Sequence, residues 1–365
     1  MPNQPASVFN PHYPFDLPLL PPPVPADDPV LLRALIRART ELAELKGYSA
    51  AIPNPMLLLS PAIIRESVAS SGIENIHTTV ESALRQELFP EAERRDADKE
   101  VLRYGAAMRW GTAQLEQLPL SSRLIVGIQQ QLMPQLGGGY RTTPNRIVNS
   151  ATQQAVFTPP PAADIPRLIG NWENFIHDEA SPFDPLLRCA IGHYQFEAIH
   201  PFGDGNGRTG RILMVLQLVQ QGLLNQPTLF ISGYINAHRQ TYYQLLAGVT
   251  GQGNWSAFLL FMLEGFYQQA RETKATLLAV MQQLQEFKQQ LRAGDLRRVP
   301  FELAEHVFSY PVTTPVLAGR ELGVHYKTAS KHLAQLAALG LLENTQVGRY
   351  QLYSNRPLLT VLSRV

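Results

Sequence analysis

The sequence predicts a mainly α-helical fold, a bundle of helices that carries one small β-hairpin and is followed by a smaller second domain. Apolar residues recur at helical spacing through most of the chain, as in the runs 101–115 and 124–133. A strand-like run occurs at Tyr140–Pro161, and a break at Arg292–Asp295 precedes the last part of the chain. We therefore expect four parts: a Pro-rich N-terminal segment (1–26), an N-terminal helical region (27–135), a core (136–291) and a final domain (297–365).

The overall composition excludes several classes of protein. The net charge of +1 creates no general field that would attract nucleic acid or an anionic membrane. No apolar run reaches the roughly 18 residues of a membrane span, so no membrane partner is expected. The single cysteine, Cys189, excludes an intramolecular disulfide framework, and its apolar helical surroundings predict core packing. These features favour a cytoplasmic protein.

The first helices are predicted from their start and stop signals. The Pro-rich segment favours extended polyproline II structure, and we expect it to lie over the protein's own surface. Asp27-Asp28-Pro29 supplies an N-cap with proline in the first turn, and Gly47 is expected to end that helix. Ser60-Pro61 opens a second helix by the same logic. The charged run 91–100 predicts an exposed helix start.

The chemistry is concentrated in the stretch HPFGDGNGRTGR, residues 200–211. Its glycines let backbone N–H groups approach an anion, and a helix starting at about Asn206 would direct its positive end at that anion. Arg208 and Arg211 share a face of this helix and can hold one phosphate chain. His200 can take a proton from a hydroxyl, and Asp204 suits Mg²⁺. A Gly-rich turn alone is a weak signal, but this combination predicts a phosphoryl or nucleotidyl transfer site.

The same stretch resembles the signature of Fic-domain proteins, His-x-Phe-x-Asp-Gly-Asn-Gly-Arg-x-x-Arg, with every defining position present. The resemblance implies a helical Fic core and an enzyme that transfers AMP from ATP to a Ser, Thr or Tyr hydroxyl of a protein target or of itself. It makes His200 the general base and Asp204 the Mg²⁺ ligand. Gly207 favours adenylylation, because relatives that phosphorylate carry Lys there. The implied nucleotide-binding residues are Asn145, Arg146, Ile147, Val148, Gly203, Asp204, Gly205, Asn206, Gly207, Arg208, Thr209, Gly210, Arg211, Tyr242 and Tyr243.

A second motif, Ser70-x-x-x-Glu74-Asn75, resembles the inhibitory motif of the same family. In isolation these residues are a polar helix end with a solvated glutamate. The resemblance implies autoinhibition, in which Glu74 pairs with Arg211 where the ATP γ-phosphate must bind. It also allows the glutamate to orient water, so that the protein removes AMP from a modified target.

The hairpin and the two histidines need separate interpretation. Ile147-Val148 and Ala155–Phe157 predict a small hairpin, and the resemblance makes Tyr140–Pro161 the flap that holds the target segment by strand addition. An ordinary surface hairpin is the alternative. His193 precedes His200 by two helical turns without a third metal ligand, so we expect a structural role for it rather than a zinc site.

Residues 300–365 resemble a winged helix-turn-helix: helices at 301–308, 316–322 and 327–339 and a hairpin centred on Gly348. Lys327, Lys331 and Arg349 would then lie on the recognition helix and wing, where phosphate contacts are expected. DNA binding and protein docking are both consistent with this domain. Two classes of function therefore remain open, an autoinhibited adenylyltransferase and a nucleotide-sensing DNA-binding regulator. A homodimer is an expectation from the resemblance.

Overall fold

The computed structural model describes residues 9–50, 52, 54, 56–148, 152–293 and 299–363. It confirms the predicted mainly helical class with small antiparallel sheets. Its helices are α1 (Pro29–Ala50), α2 (Met56–Ile73), α3 (Val80–Glu87), α4 (Asp96–Gln114), α5 (Ser122–Leu132), α6 (Ile165–His177), α7 (Pro185–Ile199), α8 (Asn206–Gln220), α9 (Ile231–Ala237), α10 (Arg239–Gln252), α11 (Trp255–Ala293), α12 (Phe301–Ser309), α13 (Pro315–Glu321), α14 (Tyr326–Ala338) and α15 (Arg356–Leu362). The strands are β1 (Ile147–Val148), β2 (Ala155–Phe157), β3 (Val312–Thr313), β4 (Glu343–Val347) and β5 (Tyr350–Ser354).

Two predicted helix boundaries are wrong. Asp28 caps α1 as expected, accepting from the N–H groups of Val30 and Leu31 at 2.7 and 3.2 Å, but the helix continues past Gly47 to Ala50. One glycine costs a helix only about 1 kcal/mol, less than burial of the apolar face contributes. The second helix begins at Met56 rather than at Ser60, with Pro61 inside it. A proline near the start removes one backbone hydrogen bond, and the buried residues that follow outweigh that loss.

The run 91–100 contains the start of α4 at Asp96, as predicted, and one of its acidic residues is buried. The carboxylate of Asp98, in the first turn of α4, is buried. It accepts from Thr78 Oγ1 at 2.5 Å, from Ser82 Oγ at 3.2 Å and from Arg95 Nε at 2.7 Å. A buried carboxylate needs such donors, and these bonds fix the segment that follows α2.

The chain folds as two compact units. Of the described residues, the first comprises 9–43, 106–148, 152–227 and 234–268. Within it α7 packs against both α6 and α8, and nearly every residue of α7 and α8 is buried. Cys189 is buried in α7, as predicted. Helices this apolar on all sides form the centre of a bundle.

The second unit comprises the described residues within 44–105, 228–233, 269–293 and 299–363. Its apolar core is shared by α2, α3, the later part of α11 and the C-terminal elements. The final domain has the predicted helices α12, α13 and α14 and the predicted hairpin, here β4–β5. It also contains β3 and α15, which the sequence did not predict. β3 pairs with β5, giving a three-stranded antiparallel sheet of order β3-β5-β4.

In the part of the chain that the structure describes, every helix is too short or too polar to span a membrane.

Candidate active site

The motif 200–211 forms the connection between the two central helices of the first unit. His200 follows the last residue of α7 and takes a left-handed conformation, φ 50° and ψ 58°, while its N–H donates to the Phe196 carbonyl at 3.0 Å. Few non-glycine residues adopt this conformation, and such residues concentrate at functional sites. Pro201 cannot continue the helix. The imidazole is therefore carried on a rigid helix end.

Asn206 closes the loop with its side chain. Its Oδ1 accepts from the Phe202 N–H at 2.8 Å, and its Nδ2 donates to the Phe202 carbonyl at 2.9 Å. The Phe202 ring is completely buried, 5.5 Å from the ring of Tyr140. The loop is thus fixed by one aromatic anchor and two reciprocal hydrogen bonds.

The start of α8 has the features of an anion site. The helix begins at Asn206, as predicted, and Gly205 at its N-cap has φ 80°. A Cβ at Gly205 would lie 3.1 Å from Met133 Cγ, so the position favours glycine on both conformational and steric grounds. The Gly205 N–H donates to Asp204 Oδ1 at 2.6 Å, and the Asp204 side chain is 61% exposed. The first turn of α8 leaves its N–H groups available to a phosphate.

Two buried arginines belong to the first two turns of α8. Arg208 and Arg211 are 4% and 1% exposed, which is rare for charged side chains. Arg208 Nη2 lies 3.6 Å from Asp204 Oδ1. Gly210, between them, would bring a Cβ to 2.5 Å from Glu197 Oε1, so a carboxylate of α7 packs directly on the α8 backbone.

His193 is buried beneath the same turn. Its Nε2 and the Tyr242 hydroxyl are 2.7 Å apart, and its Nδ1 lies 3.9 Å from Glu197 Oε1. Burial, followed by the positive charge of Arg211, lowers the pKa of His193 to about 3. A ring that is buried, neutral and bonded to Tyr242 agrees with the structural role predicted for His193, which stays a prediction.

The two adjacent tyrosines of α10 have different environments. Tyr242 is buried against His193, whereas Tyr243 is 43% exposed. The Arg239 guanidinium lies 5.8 Å from the centre of the Tyr243 ring. Of the pair, Tyr243 has the ring face that a ligand can reach, and the assignment of both residues to an adenosine pocket stays a prediction.

Arg141 links the motif to the flap, a role that the sequence did not predict. Its Nε donates to the His200 carbonyl at 2.9 Å, and its backbone N–H donates to the Pro201 carbonyl at 2.9 Å. Nη1 and Nη2 donate to the carbonyls of Thr143 and Pro160 at 3.1 and 2.6 Å. Burial lowers the pKa of this guanidinium. An arginine without apolar periodicity around it gives no sequence signal, so the contact could not have been foreseen.

The predicted hairpin is present, although its turn residues 149–151 lie outside the described residues. β1 and β2 pair antiparallel, Ile147 with Phe157 and Val148 with Ala155, with an irregular register between them. Val148 and Val156 are exposed. Asn145, one of the residues predicted to bind the nucleotide, donates from Nδ2 to the Phe202 carbonyl of the motif at 3.4 Å. Arg146 is exposed.

The motif Ser70-x-x-x-Glu74-Asn75, which resembles the family's inhibitory motif, lies at the C-terminal end of α2 in the second unit. The N–H of Ile76 donates to the Ser71 carbonyl and that of Asn75 to the Gly72 carbonyl, both at 3.0 Å. Asn75 is left-handed, φ 62°. This is a Schellman C-cap, which explains why glycine or asparagine follows the glutamate. Ser70 is buried, and Glu74 is exposed.

The helix that carries Glu74 is anchored by two charged side chains. Glu66 accepts from Tyr104 Oη at 3.0 Å and from the Ser232 N–H at 3.1 Å. Arg65 donates to Glu272 Oε1 at 2.5 Å, and its guanidinium lies 4.7 Å from the centre of the Phe230 ring. Both side chains are buried. The position of α2 within the second unit is therefore fixed by these directional contacts as well as by apolar packing.

Comparison with known proteins places these features in a family. Residues 32–113 match the model of the Fic/DOC family N-terminal region, and 119–218, which include the whole motif, match that of the Fic/DOC family. Residues 284–358 match the model described as "Protein adenylyltransferase SoFic-like, C-terminal domain".

Curated relatives and solved structures agree with these matches. A probable protein adenylyltransferase of Aquifex aeolicus is 44% identical over 86 residues, 24% of this chain and 27% of the relative. The protein adenylyltransferase Fic of Aedes aegypti is 28% identical over 213 residues, 56% of this chain and 40% of the relative. The chain thus spans well under half the length of either.

Two structures share the fold. A Fic family protein from Desulfovibrio desulfuricans G20 has a TM-score of 0.58 at 22% identity, covering 92% of this chain and 98% of that one. Fic-1 of C. elegans has a TM-score of 0.53 at 19% identity, covering 68% and 74%. With three Fic models matched in chain order and an intact motif at the junction of α7 and α8, this chain belongs to the Fic family.

Proposed function

We propose that this chain is a protein adenylyltransferase that transfers AMP from ATP to a Ser, Thr or Tyr hydroxyl of a target protein. One observation carries the proposal: a left-handed His200, a helix N-terminus behind Gly205, and two buried arginines converge on one short loop. The names of the curated relatives support the same activity. A nucleotide sensor needs the anion site but has no use for a base at His200.

The residues divide the reaction between them. His200 takes the proton of the incoming hydroxyl, whose oxygen forms a bond to the α-phosphorus of ATP. The bond from that phosphorus to the bridging α,β-oxygen breaks, and pyrophosphate leaves. Arg208, Arg211 and the N–H groups at the start of α8 hold the phosphates and the charge that develops on them. Val148 and the rest of the flap would hold the target segment.

Asp204 is the residue that would hold Mg²⁺. Its carboxylate is exposed at the loop surface, 3.6 Å from Arg208, where one side-chain oxygen and several phosphate oxygens could share the ion. Mg²⁺ commonly binds through one or two carboxylates together with substrate phosphates, so the donor set fits. The ion would supply charge neutralisation for the pyrophosphate leaving group.

Autoinhibition by Glu74 is the second part of the proposal. A carboxylate that pairs with Arg211 would occupy the place of the γ-phosphate and leave ATP in an unproductive pose. The Schellman cap at Asn75 and the anchored α2 hold Glu74 at a defined position, as such a competitor requires. An inhibitory glutamate beside the nucleotide could also orient water, which would give the protein AMP-removing activity.

One experiment tests both parts. The purified protein is incubated with α-phosphate-labelled ATP and Mg²⁺ as wild type, Glu74→Gly and Glu74→Gly/His200→Ala. We expect the Glu74→Gly variant to label itself at least tenfold faster than wild type, and the double variant to lose 10²-fold or more of that rate. Equal labelling of wild type and Glu74→Gly would contradict autoinhibition by Glu74. Absence of label in all three proteins would contradict the adenylyltransferase and favour the nucleotide-sensing regulator.

A second candidate function concerns the C-terminal domain, which we propose is a winged helix that binds duplex DNA. The exposed residues of α14 include Tyr326, Lys327, Thr328 and Lys331, and α14 contains no acidic residue. The wing is less suited to this role, because Arg349 Nη2 already donates to Glu93 Oε1 at 2.7 Å. Contact with phosphates would therefore come from the recognition helix.

A duplex-binding assay separates DNA binding from protein docking. Lys327→Ala/Lys331→Ala should weaken binding of a random duplex. The slope of log K against log salt concentration should become less steep by about two units, since two phosphate contacts are lost. Arg349→Ala is the matched control and should change binding little. Absence of binding by wild type at low salt would favour protein docking.

Two further expectations complete the proposal. A cytoplasmic location rests on the single buried Cys189, and a homodimer rests on the family resemblance. Sedimentation of the full chain at micromolar concentration tests the second.

A further inference from the structure

The described part of the N-terminal segment lies on the first unit, as the sequence predicted. Residues 9–20, here named the N-terminal brace, contact the end of the flap. The Phe15 N–H donates to the Thr158 carbonyl at 2.9 Å, and Thr158 Oγ1 donates to the Pro11 carbonyl at 2.6 Å. Thr158 directly follows β2 and is buried. The return strand of the flap therefore ends in two hydrogen bonds to the brace.

Three aromatic rings reinforce these bonds. Phe157, the last residue of β2, lies 5.7 Å from Phe15 and 6.3 Å from Phe9, and Phe9 lies 5.9 Å from Phe15. Ring centres at such distances attract one another beyond the effect of buried area alone. A two-stranded hairpin of this size is marginal in isolation, so it needs packing against another element. The brace supplies that element.

The other end of the brace is fixed to the central helices. The Leu20 N–H donates to Asn171 Oδ1 at 2.8 Å, and Asn171 Nδ2 donates back to the Leu20 carbonyl at 3.0 Å. Gln195 Nε2 donates to the Pro18 carbonyl at 2.9 Å, and Gln195 belongs to α7, the helix that ends at His200. Leu17 and Leu20 are buried. The brace thus connects the flap to the helix that carries the proposed general base.

We propose that the N-terminal brace is a positioning element of the target-binding site, and that Phe15 and Thr158 set the placement of the flap relative to His200. This inference rests on the proposed function, since the flap matters only if a target segment is held there. The oxygen of the target hydroxyl must lie about 3–3.5 Å from the α-phosphorus in the right orientation, and a misplacement of about 1 Å can cost a hundredfold in rate. The phosphates bind at the start of α8, and the flap residues predicted to bind the nucleotide, 145–148, precede or form β1, whereas the brace contacts Phe157 and Thr158 at the end of β2. We therefore expect nucleotide binding to be kept when the brace is altered.

Hydrogen exchange tests the structural part without relying on activity. Phe15→Ser and the milder, isosteric Thr158→Val are compared with Tyr13→Ser, whose ring is 67% exposed on the same segment. We expect exchange at the flap amides of residues 155–158 to accelerate at least tenfold in the first two variants, while α7 and α8 stay protected. Tyr13→Ser should match wild type. Unchanged flap exchange in both Phe15→Ser and Thr158→Val would overturn the proposal.

Kinetics in the Glu74→Gly background test the functional part. Two products of labelled ATP are followed: AMP attached to the protein itself, and free AMP formed by transfer to water. The brace variants should lose about tenfold or more of protein labelling while the affinity for ATP and the release of free AMP are unchanged. Equal loss of both products would show a general structural role and overturn the assignment. If Glu74→Gly with an intact brace incorporates no label, the proposed function fails while the exchange result stands.

Discussion

The Nε of Arg141 donates a hydrogen bond to the carbonyl of His200 at 2.9 Å. His200 is left-handed, and its carbonyl is turned out of the helical direction of α7. Arg141 uses its other two guanidinium nitrogens on the carbonyls of Thr143 and Pro160, at the two ends of the flap. One side chain thus joins the residue proposed as the base to the element proposed to hold the target.

Replacing Arg141 should damage both stability and activity. Arg141→Met leaves three carbonyls without their donor, and an unsatisfied buried carbonyl costs about 1–3 kcal/mol before relaxation. We expect a free energy of unfolding lower by about 3 kcal/mol in urea denaturation, and a loss of self-labelling in the Glu74→Gly background. Arg167→Met is the control, because Arg167 is 56% exposed and lies 3.8 Å from Asp164. Arg141→Met as stable as wild type would show that the three side-chain bonds are not important in solution.

Two glycines with similar backbones separate strain from site chemistry. Gly205 has φ 80° at the start of α8, and Gly222 has φ 67° just beyond its end. Alanine at either position should cost about 1–2 kcal/mol of stability because of the left-handed backbone. Gly205→Ala, which also approaches Met133, should in addition lose ATP affinity measured by calorimetry, whereas Gly222→Ala should bind ATP normally. Similar ATP affinities in the two variants would contradict an anion site at Gly205.

The cap at Asn75 predicts an order of variants at that position. Asn75→Gly should leave stability and inhibition almost unchanged, because glycine adopts φ 62° without strain. Asn75→Val should lower the free energy of unfolding by more than about 1 kcal/mol, since a β-branched residue fits this left-handed conformation poorly. Distortion of the cap should also displace Glu74 and increase self-labelling. Thermal unfolding and the labelling assay measure the two effects, and a Val variant as inhibited as wild type would separate the cap from the inhibitor.

The depressed pKa of His193 makes stability depend on pH. Its value of about 3 in the folded protein lies below the ordinary 6.5, so the unfolded chain binds more protons between these limits. His193 stabilises the fold fully above pH 6.5, and its contribution falls as the pH decreases towards 3, by up to about 1.4 kcal/mol per pH unit. His193→Gln should flatten the curve of unfolding free energy against pH in this window. Parallel curves for variant and wild type would show that His193 is not buried in solution.

The sequence was a good guide to the helices and the motif, and a poor guide to contacts between distant residues. The apolar run 124–133 located α5 within about two residues, and the spacing within 200–211 predicted a helix start at Asn206, where the structure has it. Gly47 and Ser60-Pro61 gave wrong helix boundaries. The free energy gained by burying the neighbouring apolar faces exceeds the local cost of glycine or proline in the helix.

The contacts of single polar residues were not foreseeable. Asp98 is one of five acidic residues in the run 91–100, and burial of its carboxylate depends on donors from Thr78 and Ser82, which a charge pattern does not reveal. Arg141 gives no periodic signal at all. Both depend on tertiary placement, which local propensity does not encode.

The amide of Asn206 has a consequence for the thermodynamics of binding. Because it bonds both the N–H and the carbonyl of Phe202, the phosphate loop has its final shape held by the chain itself. A ligand that enters such a loop orders no backbone, and so avoids the entropic penalty of coupled folding. Nucleotide binding at this site should therefore be accompanied by only a small change in heat capacity.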